Sequence, residues 1–240
     1  MEVLAMVDNS IKYCLLETGM EQIDFIQVLN KSTKRDYVGR VTEFPKAQAA
    51  RIAKKYGSEY WDGDRKFGFG GYRYDGRWFP LAQTIAKHYG LKSGDRILDV
   101  GCGKGYMLYE FQRAVPGLQI SGIDISTYAI DNAKEEVKPF LQVGNATQLP
   151  FPDKSFDFVY SNTTLHNLYN YELHDAVKEI ERVGKMNKYI CVESYRNEEE
   201  KANMLYWQLT CESFYTPQEW AWFYKLCGYT GDYGFIYFES

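Results

Sequence analysis

No apolar run in the sequence is long enough to span a bilayer, because charged residues interrupt every stretch well before the roughly 18 residues that a span needs. Residues 1–30 carry Glu2, Asp8, Lys12, Glu17 and Glu21 among their apolar positions, which fits neither a span nor a secretion signal. Cysteine is sparse. The five thiols, Cys14, Cys102, Cys191, Cys211 and Cys227, are odd in number and widely spaced, with no CxxC pair and no cysteine-histidine cluster of zinc spacing. That argues against a disulfide framework or a metal site and leads us to expect reduced thiols in a cytoplasmic protein. Positive charge is also short: 28 Lys and Arg against 32 Asp and Glu give a net charge of −4 and a pI near 5.5. A broad electropositive face for a phosphate backbone is not expected, and neither nucleic acid nor membrane is an expected partner. There is no internal repeat or low-complexity tract.

Aromatics, at 17%, are plentiful and crowd into residues 56–79 and 206–238. They suit the walls of a pocket for a small molecule, with plain core packing as the competing reading. A mass of 27.9 kDa is enough for one sizeable core and an extension.

Residues 1–78 read as an N-terminal helical and lid extension, and residues 79–240 as the core, with an excursion over 194–227. Within the extension, residues 23–29 form a short amphipathic piece and residues 31–40 a basic-polar stretch; the role of residues 1–43 stays open. Pro45 opens a helix over residues 47–55 and Gly57 stops it, while Pro80 and Gly90 frame a second helix. Between them the glycines of residues 60–78 argue against any regular element. From residue 95 short apolar runs at 96–100, 119–123, 140–143, 156–160 and 189–192 alternate with helical segments at 105–115, 127–137 and 172–183. A parallel sheet covered on both faces reads this way. Two closely spaced runs at 229–232 and 235–238 suit a terminal hairpin with one antiparallel strand. The expectation is an α/β fold with seven strands, mostly parallel.

The segment Ile97-Leu-Asp-Val-Gly-Cys-Gly-Lys-Gly105 is an apolar strand that turns through three glycines into a helix. Glycines let a backbone approach a ligand closely. A dinucleotide fingerprint starting at Gly101 would want glycine or alanine where Tyr106 stands, and a P-loop would want a Gly-Lys-Ser/Thr that is missing. The next strand ends in Asp124, whose two oxygens can accept from both hydroxyls of a ribose. The third ends in Gly144-Asn145-Ala146. Three such strand ends in order point to a nucleoside without a pyrophosphate.

With these motifs the sequence resembles the class I S-adenosylmethionine-dependent methyltransferases, especially the small-molecule group called type 11, over roughly residues 80–193. The resemblance implies a Rossmann-like core, S-adenosylmethionine as cofactor with S-adenosylhomocysteine as product, and methyl transfer to the oxygen, nitrogen or carboxylate of a small acceptor. It places Asp99 and the backbone of Gly101, Cys102, Gly103 and Gly105 against the methionine part, Asp124 on the ribose, and Asn145 with Ala146 beside adenine. Ile125 and Ser161 complete that set, and Tyr74 or Arg77 can close over the cofactor carboxylate. Asn145 stands where the family commonly has aspartate, but an amide can still bond the adenine edge.

Methyl transfer is an in-line displacement, so alignment and exclusion of water matter most, and a base is needed only for a protonated acceptor. His166, just past the fourth strand, is the candidate base. Tyr72, Trp78, His166, Tyr195 and Arg196 are the candidates for holding the acceptor, with Arg196 suited to clamp a carboxylate or phosphate. Asn162-Thr163-Thr164 does not match the Asp/Asn-Pro-Pro-aromatic motif of DNA amino-methylating relatives. Other chemistry on the same cofactor, binding without turnover, and a nicotinamide oxidoreductase are the competing readings. Acceptor identity and oligomeric state are not encoded in any motif.

Overall fold

The computed structural model describes residues 19–26 and 35–239. Among the described residues, three short helices precede the core: α1 (Gly39–Thr42), α2 (Lys46–Ala53) and α3 (Ser58–Trp61). The core then runs α4 (Phe79–His88), β1 (Arg96–Val100), α5 (Tyr106–Ala114), β2 (Gln119–Asp124), α6 (Thr127–Asp131), β3 (Leu141–Val143), β4 (Phe156–Asn162), α7 (Asn170–Val183) and β5 (Gly184–Glu193). The excursion after β5 holds α8 (Glu198–Trp207) and α9 (Pro217–Leu226), and β6 (Asp232–Ile236) ends the sheet. Of the residues 23–29 read as amphipathic, 27–29 lie outside the described residues, as do 31–34 of the basic stretch and Cys14.

Strand order is β3-β2-β1-β4-β5-β6, and every pair is parallel. Crossovers join β1 through β6 in turn, and the helices among them pack on both faces of the sheet, which are both apolar. One core packs Ile85, Leu108 and Phe111 against Ile97 and Phe158. The other packs Val177, Ile180 and Trp220 against Leu98, Val159 and Ile190. A parallel sheet presents its carboxyl ends along one edge, the usual location of ligands in such folds.

Two expectations need correction. The described residues form six strands, not seven, and no antiparallel hairpin ends them. Gly234, which looks like a turn residue between two runs, lies inside β6. A Cβ there would sit 2.1 Å from the Tyr189 hydroxyl and 2.6 Å from the Ile23 carbonyl oxygen, so glycine is required by a close approach of β5 and residues 21–25. The excursion of residues 194–231 supplies the long crossover that a parallel strand needs. Gly234→Val should destabilise the chain by about 1–3 kcal/mol, the usual cost of overpacking. Denaturant unfolding checks this, and an unchanged midpoint would mean that Tyr189 moves aside freely.

Candidate functional site

β1 leaves the sheet through Gly101, Gly103 and Gly105, which take φ of 84°, 53° and 74°. Gly101 and Cys102 donate to the Ile123 carbonyl at 2.7 and 3.1 Å. Gly103 donates to one Asp124 oxygen at 2.7 Å, and Ser126 donates to the other at 2.8 Å. Each carboxylate oxygen is thereby fixed and keeps capacity for a further donor. Asp99 lies beside it, and both are buried. Burial and the neighbouring Asp124 hold the Asp99 carboxyl well above the usual range; burial raises that of Asp124, opposed by the two N–H bonds. Among the described residues no cation pairs with either. Tyr160, the register partner of Asp99 on β4, has its hydroxyl buried without a hydrogen bond among the described residues.

The aromatic loop is seated on this turn. A Cβ on Gly103 would be 2.9 Å from the Trp61 ring, so only glycine allows the indole to lie there. Trp61 donates its indole N–H to the Ser126 hydroxyl at 2.9 Å, and its ring stacks with Phe69 at 5.3 Å between centroids. A second tie comes from Lys104, within the turn. Its ammonium is bound to both Asp62 oxygens at 2.8 and 2.7 Å and to the Tyr72 carbonyl at 3.0 Å. Tyr128 joins Asp62 at 2.9 Å, and Tyr72 stacks on Tyr106 at 5.0 Å. Trp61, Asp62 and Lys104 were not singled out in the sequence; a lysine inside a glycine turn, facing an acidic-aromatic loop, was the available signal.

The remaining expected cofactor residues divide. Cys102 is buried in the turn, and Ser161 is buried on β4 with its hydroxyl bonded to the Val100 carbonyl at 2.8 Å. Ile125 is exposed past β2, Asn145 is exposed with its amide oxygen accepting from Thr147 N–H at 3.0 Å, and Ala146 is half-buried. Tyr74 donates to Glu110 at 2.8 Å. Arg77 faces outward and is ion-paired with Asp75. The structure therefore gathers Asp99, the glycine turn, Asp124 and Ser161, while Arg77 is engaged elsewhere.

On the acceptor side, Tyr72 covers the turn and Trp78 packs into the first core. Tyr195 is buried beneath Lys201, and Arg196 is held between Glu200 and Glu239 over the Tyr237 ring. His166 lies in a 3-10 turn (Leu165–Asn167) that follows Thr163, a non-glycine residue at φ 54°. Its Nδ1 accepts from Glu193 N–H at 3.3 Å, which puts the proton of the neutral ring on Nε2. Nε2 is 3.4 Å from Glu193 Oε2, yet Oε2 makes no hydrogen bond among the described residues. Burial pushes His166 down to about 3. Burial also pushes Glu193 up to about 8, against the pull of Arg35 and Gln208. Both ring nitrogens face Glu193, so the group with an open lone pair is the carboxylate.

Residues 98–192 match the family described as Methyltransferase domain. A demethylmenaquinone methyltransferase of Lysinibacillus sphaericus is 33% identical over 118 residues, covering 47% of this chain and 50% of that protein. An uncharacterized methyltransferase of Schizosaccharomyces pombe is 33% identical over 113 residues, covering 42% of this chain and 40% of its own length. The matched part spans about half the length of these curated relatives or less. In fold, the chain is similar to one in the complex between the Haloferax volcanii Trm112 methyltransferase activator and a putative methyltransferase. That likeness has a TM-score of 0.52 and 22% identity, and covers 82% of this chain and 77% of the other. Bacillus subtilis YcgJ gives a TM-score of 0.50 at 22% identity, covering 61% of this chain and 66% of that one.

Glu193 supplies a check on the site. Its folded carboxyl titrates near 8 against an ordinary 4.5, so the folded chain keeps a proton that the unfolded chain releases. The associated stability is complete below 4.5 and is lost as pH rises through about 8. Glu193→Gln should therefore melt about 2 °C or more above the native chain near pH 9, with the gap closing toward pH 5. Thermal melts at the two pH values measure it. An equal shift at both would show that Glu193 is not held protonated.

Proposed function

From the premise that this chain carries a class I S-adenosylmethionine-dependent methyltransferase domain, we propose that it transfers a methyl group from S-adenosylmethionine to a small-molecule acceptor by in-line displacement. One observation carries the reading. Asp99 and Asp124, buried side by side with no cation paired to either among the described residues, stand next to a glycine turn whose backbone a ligand can approach. A ligand that brings both a positive charge and a ribose matches that pair, since two buried carboxylates need compensation. The orphaned Tyr160 hydroxyl beside Asp99 fits the same conclusion.

Asp99 and the backbone of residues 101–105 would hold the methionine part, Asp124 the ribose, and Asn145 with Ala146 the adenine. S-adenosylmethionine supplies, when bound, a methyl group on a positively charged sulfur. Alignment by such contacts can contribute roughly 7–11 kcal/mol in favourable cases. Trp61, Phe69 and Tyr72 exclude water from above the turn; the loop that carries them lifts for the cofactor to enter and settles again before transfer. His166 and Glu193 work as one acid–base pair: Glu193 Oε2 takes the acceptor's proton while the neutral imidazole holds the carboxylate's surroundings fixed. The demethylmenaquinone methyltransferases among the relatives support a small-molecule acceptor.

Calorimetry tests the cofactor assignment. S-adenosylmethionine and S-adenosylhomocysteine should bind at micromolar levels and NAD should not, with Asp124→Ala weakening binding by about 1.5–3 kcal/mol. Tight NAD binding, or no loss in the alanine variant, would remove the assignment. Methyl transfer from labelled S-adenosylmethionine into a small-molecule extract should increase as pH rises through about 8, where Glu193 ionises. Glu193→Gln should abolish the increase, cutting turnover by about 100-fold or more with cofactor affinity retained. Turnover that ignores pH in both proteins would mean that the acceptor arrives already ionised and needs no base.

A further inference from the structure

Three guanidinium groups converge on one indole. The guanidinium carbons of Arg40, Arg65 and Arg35 lie 5.0, 5.1 and 5.9 Å from the centroid of the Trp207 ring. Arg40 comes from α1, Arg35 from just before it, and Arg65 from a 3-10 turn (Arg65–Phe67) of the covering loop. Trp207 ends α8, so the group joins the N-terminal extension, the loop and the excursion.

The described residues set no carboxylate against two of these groups, Arg40 and Arg65. Arg40 donates to the Trp207 carbonyl at 3.2 Å and to the Arg65 carbonyl; Arg65 donates to the Gly68 and Phe69 carbonyls at 3.1 and 3.0 Å. Among the described residues no carboxylate pairs with Arg40 or Arg65, whereas Arg77, Arg113, Arg182 and Arg196 all hold one. Burial and the charge of Arg65 push Arg40 down to about 10, and burial with Arg40 lowers Lys46 nearby. Like charges crowded beside an aromatic platform repel, and each guanidinium has more N–H donors than these carbonyls use. A carboxylate or phosphate oxyanion satisfies both needs, because two of its oxygens accept parallel N–H bonds from a guanidinium and its charge cancels the cation's.

The cluster adjoins the acid–base pair. Arg35 acts electrostatically on Glu193, and the chain just past Trp207 folds onto His166, with Glu212 and Ser213 N–H groups on its carbonyl at 2.9 and 3.0 Å. We infer that Arg40 and Arg65, with Arg35, form an oxyanion subsite on Trp207 that takes a carboxylate or phosphate group of the acceptor. This rests on the methyltransferase reading for the identity of the ligand as acceptor, but the subsite itself stands on the cluster alone. Arg196, the arginine that the sequence suggests for this task, is already held by Glu200 and Glu239. Because Arg65 rides on the loop that covers Gly103, an anion held here also holds that loop down.

Calorimetry on the full chain, at constant ionic strength, tests the subsite with benzoate, inorganic phosphate and inorganic pyrophosphate as probes, each with and without saturating S-adenosylhomocysteine. At least one probe should bind saturably at one site per chain, and the preferred probe tells a carboxylate acceptor from a phosphorylated one. The double variant Arg40→Gln/Arg65→Gln should weaken that binding about tenfold or more, a clearly larger loss than any in its S-adenosylhomocysteine affinity; Lys185→Gln, remote from the cluster, should change nothing. If the double variant does not fold, Arg65→Gln alone, at an exposed position, should still weaken binding severalfold. No saturable binding of any probe, or binding retained in the arginine variants, overturns the subsite. Oxyanion binding without S-adenosylhomocysteine binding would instead overturn the methyltransferase reading and leave the subsite standing.

Discussion

Gly101 and Cys102 direct their N–H groups to the Ile123 carbonyl, and Gly103 directs its own to the Asp124 carboxylate. These bonds bind the exit of β1 to the end of β2, and the arrangement of the whole carboxyl edge follows from them. With the turn pinned, the buried Lys104 reaches Asp62, Gly103 offers a flat surface to Trp61, and α5 starts at Tyr106 in the orientation that stacks Tyr72. The geometry depends on left-handed backbone at three positions, where any side chain would strain the turn. Asp124 plays two parts: it is a structural acceptor for two backbone donors and a carboxylate with capacity left for a ligand.

Much of this was legible in the chain. β1 was bounded correctly at Arg96–Val100 because a strand covered on both faces reads as an apolar run between turn residues. α6 was not: periodicity continues to residue 137, but the helix stops at Asp131, and the Lys134 N–H turns to the Lys104 carbonyl. The two closely spaced runs at 229–232 and 235–238 suggest a hairpin, but Asp232–Ile236 form one strand in which Gly234 answers to a tyrosine hydroxyl on another strand. Arg77 and Arg196 show the opposite case. Glu200 lies four positions from Arg196, a spacing at which opposite charges meet on a helical path, whereas Asp75 lies two positions from Arg77 in an irregular loop, where only sequence proximity brings the two together.

Contacts that depend on tertiary register were out of reach. His166 and Glu193 meet because β4 and β5 end side by side, and Arg40, Arg65 and Trp207 meet only once the excursion folds back on the extension. No periodicity encodes these encounters. A modest acidic net charge likewise conceals a local concentration of cations, since composition averages over the surface whereas a binding site samples a few cubic nanometres.

The two borders of the sheet are finished differently. β3 spans only Leu141–Val143, too short to recruit another strand, while β6 is met along its far side by residues 21–23. There Ile23 donates to the Tyr233 carbonyl and Tyr233 donates to the Glu21 carbonyl, at 2.7 and 3.0 Å. An uncovered strand is a template for pairing with any extended chain. The segment around Gln22 therefore serves as a selvage: the N–H and carbonyl of Tyr233 on that side are already taken, so a neighbouring molecule finds no open pairing groups at that point of β6.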